Sequence, residues 1–248
     1  MTAQYDDIAE RYNKIKSSFI ITRHYHLTAY TLQHHLGEIG RKSVLDLACG
    51  EGLYTRKIKQ MDASRVVGVD ISETMLRSAR QQETQIPLGI EYIRSAAQDL
   101  GKIGDFDVVT AVYLFHYAPT KEKLLKMCQT ASDNLKTGER FITVSNDFNI
   151  KGFEYRSEAF QKYGYGISPG SKPLEEGSIV KITLAGGGEE VHYDGYYYSR
   201  ETHEWALRTA GFKTINWHKL MLPPEVEQED GQEYWEFFIE APAAVAVH

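Results

Sequence analysis

The chain has 248 residues, 42% hydrophobic and 25% charged, enough for one α/β domain with a sizeable core and an added subdomain. A net charge of -6 without a long Lys/Arg cluster argues against nucleic acid as the main partner, and no apolar run approaches the roughly 20 residues of a membrane span. The N-terminus lacks signal-peptide regions, and two cysteines, Cys49 and Cys128, make neither a disulfide framework nor a metal cluster, so a cytoplasmic chain without a metal is expected.

In chain order, Tyr5, Ile8, Ala9 and Tyr12 fall at i, i+3, i+4 and i+7, one face of a helix. A second helix carries Tyr25, Leu27, Leu32 and Leu36 and stops near Gly37 and Gly40. His24, His26, His34 and His35 lie at i, i+1 and i, i+2 spacings that point to different helix faces, so they read as mostly solvated rather than as a metal site.

From Lys42 the pattern becomes strand–helix alternation, which predicts a parallel sheet with helices on both faces. Ser43–Leu47 is the first strand. It runs into the turn Ala48-Cys49-Gly50-Glu51-Gly52 and a helix over 53–61. Arg65–Asp70 is the second strand, ending on an acid placed to accept both hydroxyls of a ribose. Gly50 and Gly52 lack a Cβ and let backbone approach a ligand. The pair reads as a nucleoside site. Ser72 caps the next helix, which carries Met75. Strands over 90–94, 104–112 and 140–145 follow, with Tyr113, His116 and Tyr117 running off the fourth.

After Asn146 the alternation breaks into an aromatic stretch with Phe153 and Tyr155. A hairpin over 179–184 and 191–198 follows around Gly186-Gly187-Gly188. A helix opened by Ser199, a strand over 213–221, the loop at 222–225, an acidic loop over 225–233 and a strand over 234–241 complete the sheet, with 242–248 as a frayed tail. The expected fold is α/β: a Rossmann-like, seven-stranded, mostly parallel sheet with a C-terminal antiparallel hairpin. Residues 1–40 form a helical lid, 41–146 and 199–241 the core, and 147–198 a cap after strand five.

The run Val-Leu-Asp-Leu-Ala-Cys-Gly-Glu-Gly over 44–52, followed by Gly-Val-Asp-Ile-Ser over 68–72, resembles the class I S-adenosylmethionine (SAM)-dependent methyltransferases. Ala48 stands where their first glycine falls. The resemblance implies SAM as cofactor, with S-adenosylhomocysteine as product. It places Asp46, Ala48, Gly50, Gly52, Asp70, Ile71, Met75, Gln98, Asp99 and the Tyr113 backbone around the cofactor, with Tyr12 over it. It further implies Tyr5 near the reacting centre. By their place off the fourth strand His116 is the first candidate for a base and Tyr117 for touching the acceptor, and the aromatic cap offers Phe153, Tyr155 and His192 toward an acceptor.

More narrowly, the chain looks like the azapteridine (toxoflavin) N-methyltransferase kind. That implies methylation at a nitrogen of a planar heterocycle or amine in specialised metabolism, with oxygen or carbon as the alternatives. The partners implied are a small molecule and no nucleic acid or membrane, with the protein a monomer or homodimer. An NAD-dependent oxidoreductase would use the same glycines and acid, but the third glycine of G-x-G-x-x-G is absent. A non-catalytic SAM-binding protein would need no aromatic cap.

Overall fold

The computed structural model describes residues 9–146, 148, 157–170, 173–236, 238–240 and 242–247. Two helices come first, α1 (Ala9–Lys16) and α2 (Phe19–Leu36). Gly37 closes α2 at φ 54°, its N–H donating to the Gln33 carbonyl.

The core alternates β1 (Ser43–Leu47), α3 (Leu53–Gln60), β2 (Arg65–Asp70), α4 (Glu73–Gln85), β3 (Glu91–Arg94), β4 (Phe106–Val112), α5 (Lys121–Asp133) and β5 (Leu135–Val144). Val44, Leu45, Leu47, Val66, Val67, Val69, Val108 and Val109 are fully buried, as expected of parallel strands covered on both faces. Strand order is β3-β2-β1-β4-β5 with parallel pairing throughout, so connectivity reverses direction between β1 and β4. Ligands of open α/β sheets bind at that reversal, beyond the strands' carboxyl ends.

A second layer stands over those ends. After α6 (Glu158–Tyr163), the strands β6 (Tyr165–Pro169), β7 (Ile179–Gly186) and β8 (Glu189–Tyr196) form an antiparallel sheet in that order. Gly187 and Gly188, at φ 59° and 80°, make the two-residue β7–β8 turn with the positive dihedrals that a tight hairpin requires. At Gly195 of β8 an added Cβ would lie 3.0–3.4 Å from Ile182, Phe148 and His116, so this sheet rests directly on the turn Phe115–Tyr117 that follows β4. Strand β6 arises from the aromatic stretch, where no strand is expected from sequence.

The C-terminal part departs furthest from expectation. Helix α7 (Arg200–Thr209) and β9 (Thr214–Lys219) fall where the sequence puts them. The acidic loop is instead α8 (Pro224–Asp230), with Pro224 in its first turn, where a missing N–H costs nothing. The expected last strand at 234–241 begins inside α9 (Gln232–Trp235) and continues as a 3-10 turn over Phe238–Glu240. Trp235 is fully buried there, its Nε1 donating to Asp230 at 3.0 Å. The strand is β10 (Pro242–Val247), taken from the expected tail and inserted antiparallel between β5 and β9. Tyr234 and Trp235 pack instead against Tyr163.

Candidate functional site

Ala48, Gly50 and Gly52 all take positive φ, at 58°, 56° and 85°, and this alternation curls the chain from β1 into α3. For Ala48 the left-handed backbone costs about 1 kcal/mol that glycine would not incur. A Cβ at Gly50 would meet nothing within 4 Å, so the turn presents bare backbone to open space. Gly52 differs: its Cβ would collide with the Tyr92 hydroxyl, so that glycine serves packing beneath the turn.

Asp70, ending β2, accepts the Gly50 N–H and the Ser72 N–H, each at 2.8 Å. Its two oxygens thus tie the turn to the start of α4. Asp46 is not at the surface of the site. It is 2% exposed and accepts from Thr55 at 2.6 Å and Thr110 at 2.7 Å, locking α3 to β1 and β4. Burial raises its pKa to about 6, against those two hydrogen bonds, which lower it.

Tyr113, one residue beyond β4, has φ 59°, a genuine outlier for so bulky a residue. Its N–H donates to Val144 at 2.7 Å, and its hydroxyl pairs with Thr28 of α2 at 2.8 Å. Backbone strain of this kind gathers at functional sites.

These groups border a cavity of about 160 Å³. Its lining includes Ala48, Gly50, Asp70, Met75 and Tyr113. Tyr12 and Tyr25, joined hydroxyl to hydroxyl at 2.8 Å, close it from above, with the Lys16 ammonium 4.9 Å from the Tyr25 ring and ion-paired to Glu51. Tyr117, Tyr165, Tyr193, Phe238 and His24 line it too, Tyr117 beside Tyr193, and Tyr165 and His24 beside Phe238.

Several expected site residues lie elsewhere. Gln98 and Asp99 occupy a 3-10 turn outside the cavity, Asp99 exposed and 3.8 Å from Lys123. Ile71 is half-buried, its carbonyl facing Arg94, and does not line the cavity. His192 is exposed on the outer face of β8, held by Thr183 at 2.9 Å and Glu190 at 3.0 Å. Alternation along the strand turns Tyr193 inward instead.

His116 is 4% exposed and packs behind the wall, its ring 4.0 Å from that of Tyr117 and its Nδ1 3.5 Å from the Asn146 amide nitrogen. Burial, with a smaller push from His203, lowers its pKa to about 3, which corrects its reading as a base poised near neutrality. Tyr5, Phe153 and Tyr155 lie outside the described residues. Sequence reasoning missed Lys16, His24, Asn146 and Phe238, and singled out neither Tyr165 nor Tyr193 among the cap tyrosines it offered to an acceptor pocket. Only their joint convergence on the strand ends marks them, and no local spacing encodes that.

The comparisons bear on this geometry. Residues 44–138 match the family model described as a methyltransferase domain. The chain is 27% identical over 186 residues to the ubiquinone/menaquinone biosynthesis C-methyltransferase UbiE of Klebsiella pneumoniae, covering 72% of this chain and 69% of that one. It is 30% identical over 134 residues to a ubiquinone biosynthesis O-methyltransferase of Acinetobacter baylyi, covering 50% and 55%. A crystal structure from Listeria monocytogenes, named as an S-adenosylmethionine-dependent methyltransferase, is similar with TM-score 0.59 and 25% identity over 89% of this chain and 97% of that one.

The chain is a SAM-dependent methyltransferase. The residues present fit SAM: the open space above Gly50 admits a ligand against backbone, Asp70 offers ribose its acceptors, and Met75 gives an apolar face. When bound, SAM supplies an electrophilic methyl group on a sulfonium and a neutral thioether leaving group. Among the described residues no helix is long and apolar enough to cross a membrane, and no group of three or more His, Cys, Asp or Glu could hold a metal ion.

Proposed function

We propose that this methyltransferase acts on a small planar molecule, with a neutral ring or amine nitrogen as the methylated atom. Gly50, Asp70, Met75 and the Tyr113 backbone hold the donor, and the aromatic end of the cavity holds the acceptor beside it. The observation that supports this is one continuous cavity joining the bare glycine turn to a ring of Tyr117, Tyr165, Tyr193 and Phe238. Flat aromatic walls bind flat aromatic ligands through burial and offset stacking.

The two histidines nearest the acceptor end, His24 and His116, are both held neutral with pKa lowered to about 3 by burial. Such imidazoles are weak bases. An acceptor whose lone pair is already free suits them best, since methyl transfer to it needs placement more than proton removal. Holding the two reactants in line can itself supply roughly 7–11 kcal/mol of the barrier.

The second reading is methylation of a ring oxygen or carbon. It is favoured by the relatives, whose names are ubiquinone C- and O-methyltransferases. Calorimetric titration with SAM, S-adenosylhomocysteine and NAD, followed by turnover assays on matched heterocyclic, amine and phenolic acceptors, separates these. Methylation of nitrogen acceptors with no phenol turnover is expected. Turnover confined to phenols or ring carbons would replace the first reading by the second, and binding of NAD alone would overturn both.

A further inference from the structure

Two side chains lining the cavity carry a buried polar atom without a hydrogen-bond partner among the described residues: the Tyr54 hydroxyl and His24 Nε2. Tyr54, in α3, stands beside the glycine turn and belongs to the donor end. His24 lines the same cavity beside Phe238. It is 6% exposed, its ring stacked on Phe238 at 4.0 Å and 18°, with Trp235 edge-on at 5.6 Å and Tyr163 at 6.3 Å. Three aromatic rings thus fix the plane of this imidazole on a helix that needs no histidine there.

Leaving a buried polar atom unpaired costs about 1–3 kcal/mol. The neighbouring hydroxyls avoid that cost: Tyr25 is bonded to Tyr12, and Tyr113 to Thr28. Among the described residues the His24 Nε2 makes no contact with the fold that phenylalanine would not supply by stacking. A group kept at such expense in a cavity wall is accounted for by a ligand that completes its hydrogen bond.

Building on the acceptor site proposed above, we infer that His24 Nε2 is the specificity contact of that site. It reads a single hydroxyl, ring N–H or carbonyl on the edge of a planar acceptor remote from the methylated atom. The acceptor is therefore a neutral bicyclic or larger heteroaromatic with one polar group on its far edge. An anionic group there is rejected, because among three aromatic rings the imidazole remains neutral and offers no counter-charge; its pKa is lowered to about 3 by burial.

The test uses the full chain saturated with S-adenosylhomocysteine and three probes of one shape: quinoline, 6-hydroxyquinoline and quinoline-6-carboxylate. Binding is read by calorimetry. The wild type is expected to bind 6-hydroxyquinoline about tenfold more tightly than quinoline, the gain of one satisfied buried hydrogen bond, with the carboxylate weakest. His24→Phe should erase the preference while leaving S-adenosylhomocysteine affinity unchanged, and His24→Gln should restore part of it. An unchanged preference in His24→Phe, or none in the wild type, overturns the inference and leaves the donor site intact. Failure of S-adenosylhomocysteine to bind the wild type would overturn the proposed function, and the inference with it.

Discussion

The Asp70 carboxylate accepts the Gly50 amide at 2.8 Å, joining the carboxyl end of β2 to the bare turn that follows β1. Because the other oxygen takes the Ser72 amide at 2.8 Å, one side chain both shapes the turn and faces the cavity. Asp70→Ala is expected to weaken S-adenosylhomocysteine binding about 10- to 100-fold, the worth of hydrogen bonds to a charged group. Calorimetry on the variant checks it. Affinity within twofold of wild type would remove Asp70 from the donor site.

Gly50 and Gly52 should fail for different reasons. Gly50→Ala meets no protein atom, so it should fold with a loss of about 1 kcal/mol from its positive φ and yet lose donor binding. Gly52→Ala must displace the Tyr92 ring and should destabilise more. Since the Tyr92 hydroxyl is buried without a hydrogen-bond partner among the described residues, Tyr92→Phe should itself be neutral or stabilising by about 1 kcal/mol, and should partly rescue Gly52→Ala. Denaturant melts on the four proteins, with ligand titrations beside them, give the answer. Equal stability losses in the two alanine variants would contradict it.

The turn and its acid were legible because each depends on a local necessity: glycine where φ is positive, an acid at a strand end. The core strands were legible because strands covered on both faces need unbroken apolar runs, as in Arg65–Asp70. At 234–241 the aromatic and apolar run imitates a strand, but a helix after Gly231 lets Trp235 reach Asp230 and Tyr163, a tertiary gain with no sequence period. His192 and Tyr193 show how narrow the margin is, since a shift of one residue along β8 exchanges the solvent face for the cavity. His24 reads as a solvated helix histidine until α9 and the turn at Phe238 close on it, and those elements lie some 200 positions away in the chain.

Lys16 of α1 is ion-paired to Glu51 within the glycine turn, while Lys14 pairs with Glu189 of the β7–β8 hairpin at 3.0 Å. Helix α1 is therefore strapped to the donor turn on one side and to the small sheet on the other. Lys16 and Glu51 side chains are only 13% and 20% exposed, so their attraction is less screened than that of Lys14. Lys16→Met is expected to speed amide exchange across Ala9–Lys16 and S-adenosylhomocysteine dissociation by about fivefold, or roughly 1 kcal/mol, without altering exchange in β1 or β4. Glu51→Gln should do the same, and the double variant should be no worse than either single. Additive effects would mean the two residues act apart.

Acid titration should reveal opposed contributions from buried groups. Asp46 is raised to about 6 from an ordinary carboxylate value near 4, so the folded state holds its proton where the unfolded chain has released it. Its contribution to stability is fully present below pH 4 and is lost as pH rises to 6. His24 and His116, lowered to about 3, work the other way. The unfolded chain takes up those protons below about pH 6.5, so their contribution is present above that pH and drains away toward pH 3. Between pH 4 and 6 one carboxyl group opposes two imidazoles, so the effects cancel only in part and wild-type stability should still fall as pH is lowered. Asp46→Asn removes one arm: its stability should fall steadily as pH is lowered from 6.5, with no compensating rise. His24→Phe removes part of the other, and its stability should fall less steeply than that of the wild type from pH 6 to 4. Melting temperatures at half-unit steps from pH 4 to 7.5 read both slopes. Parallel profiles for Asp46→Asn and the wild type would show that Asp46 is ionised in the fold at pH 5.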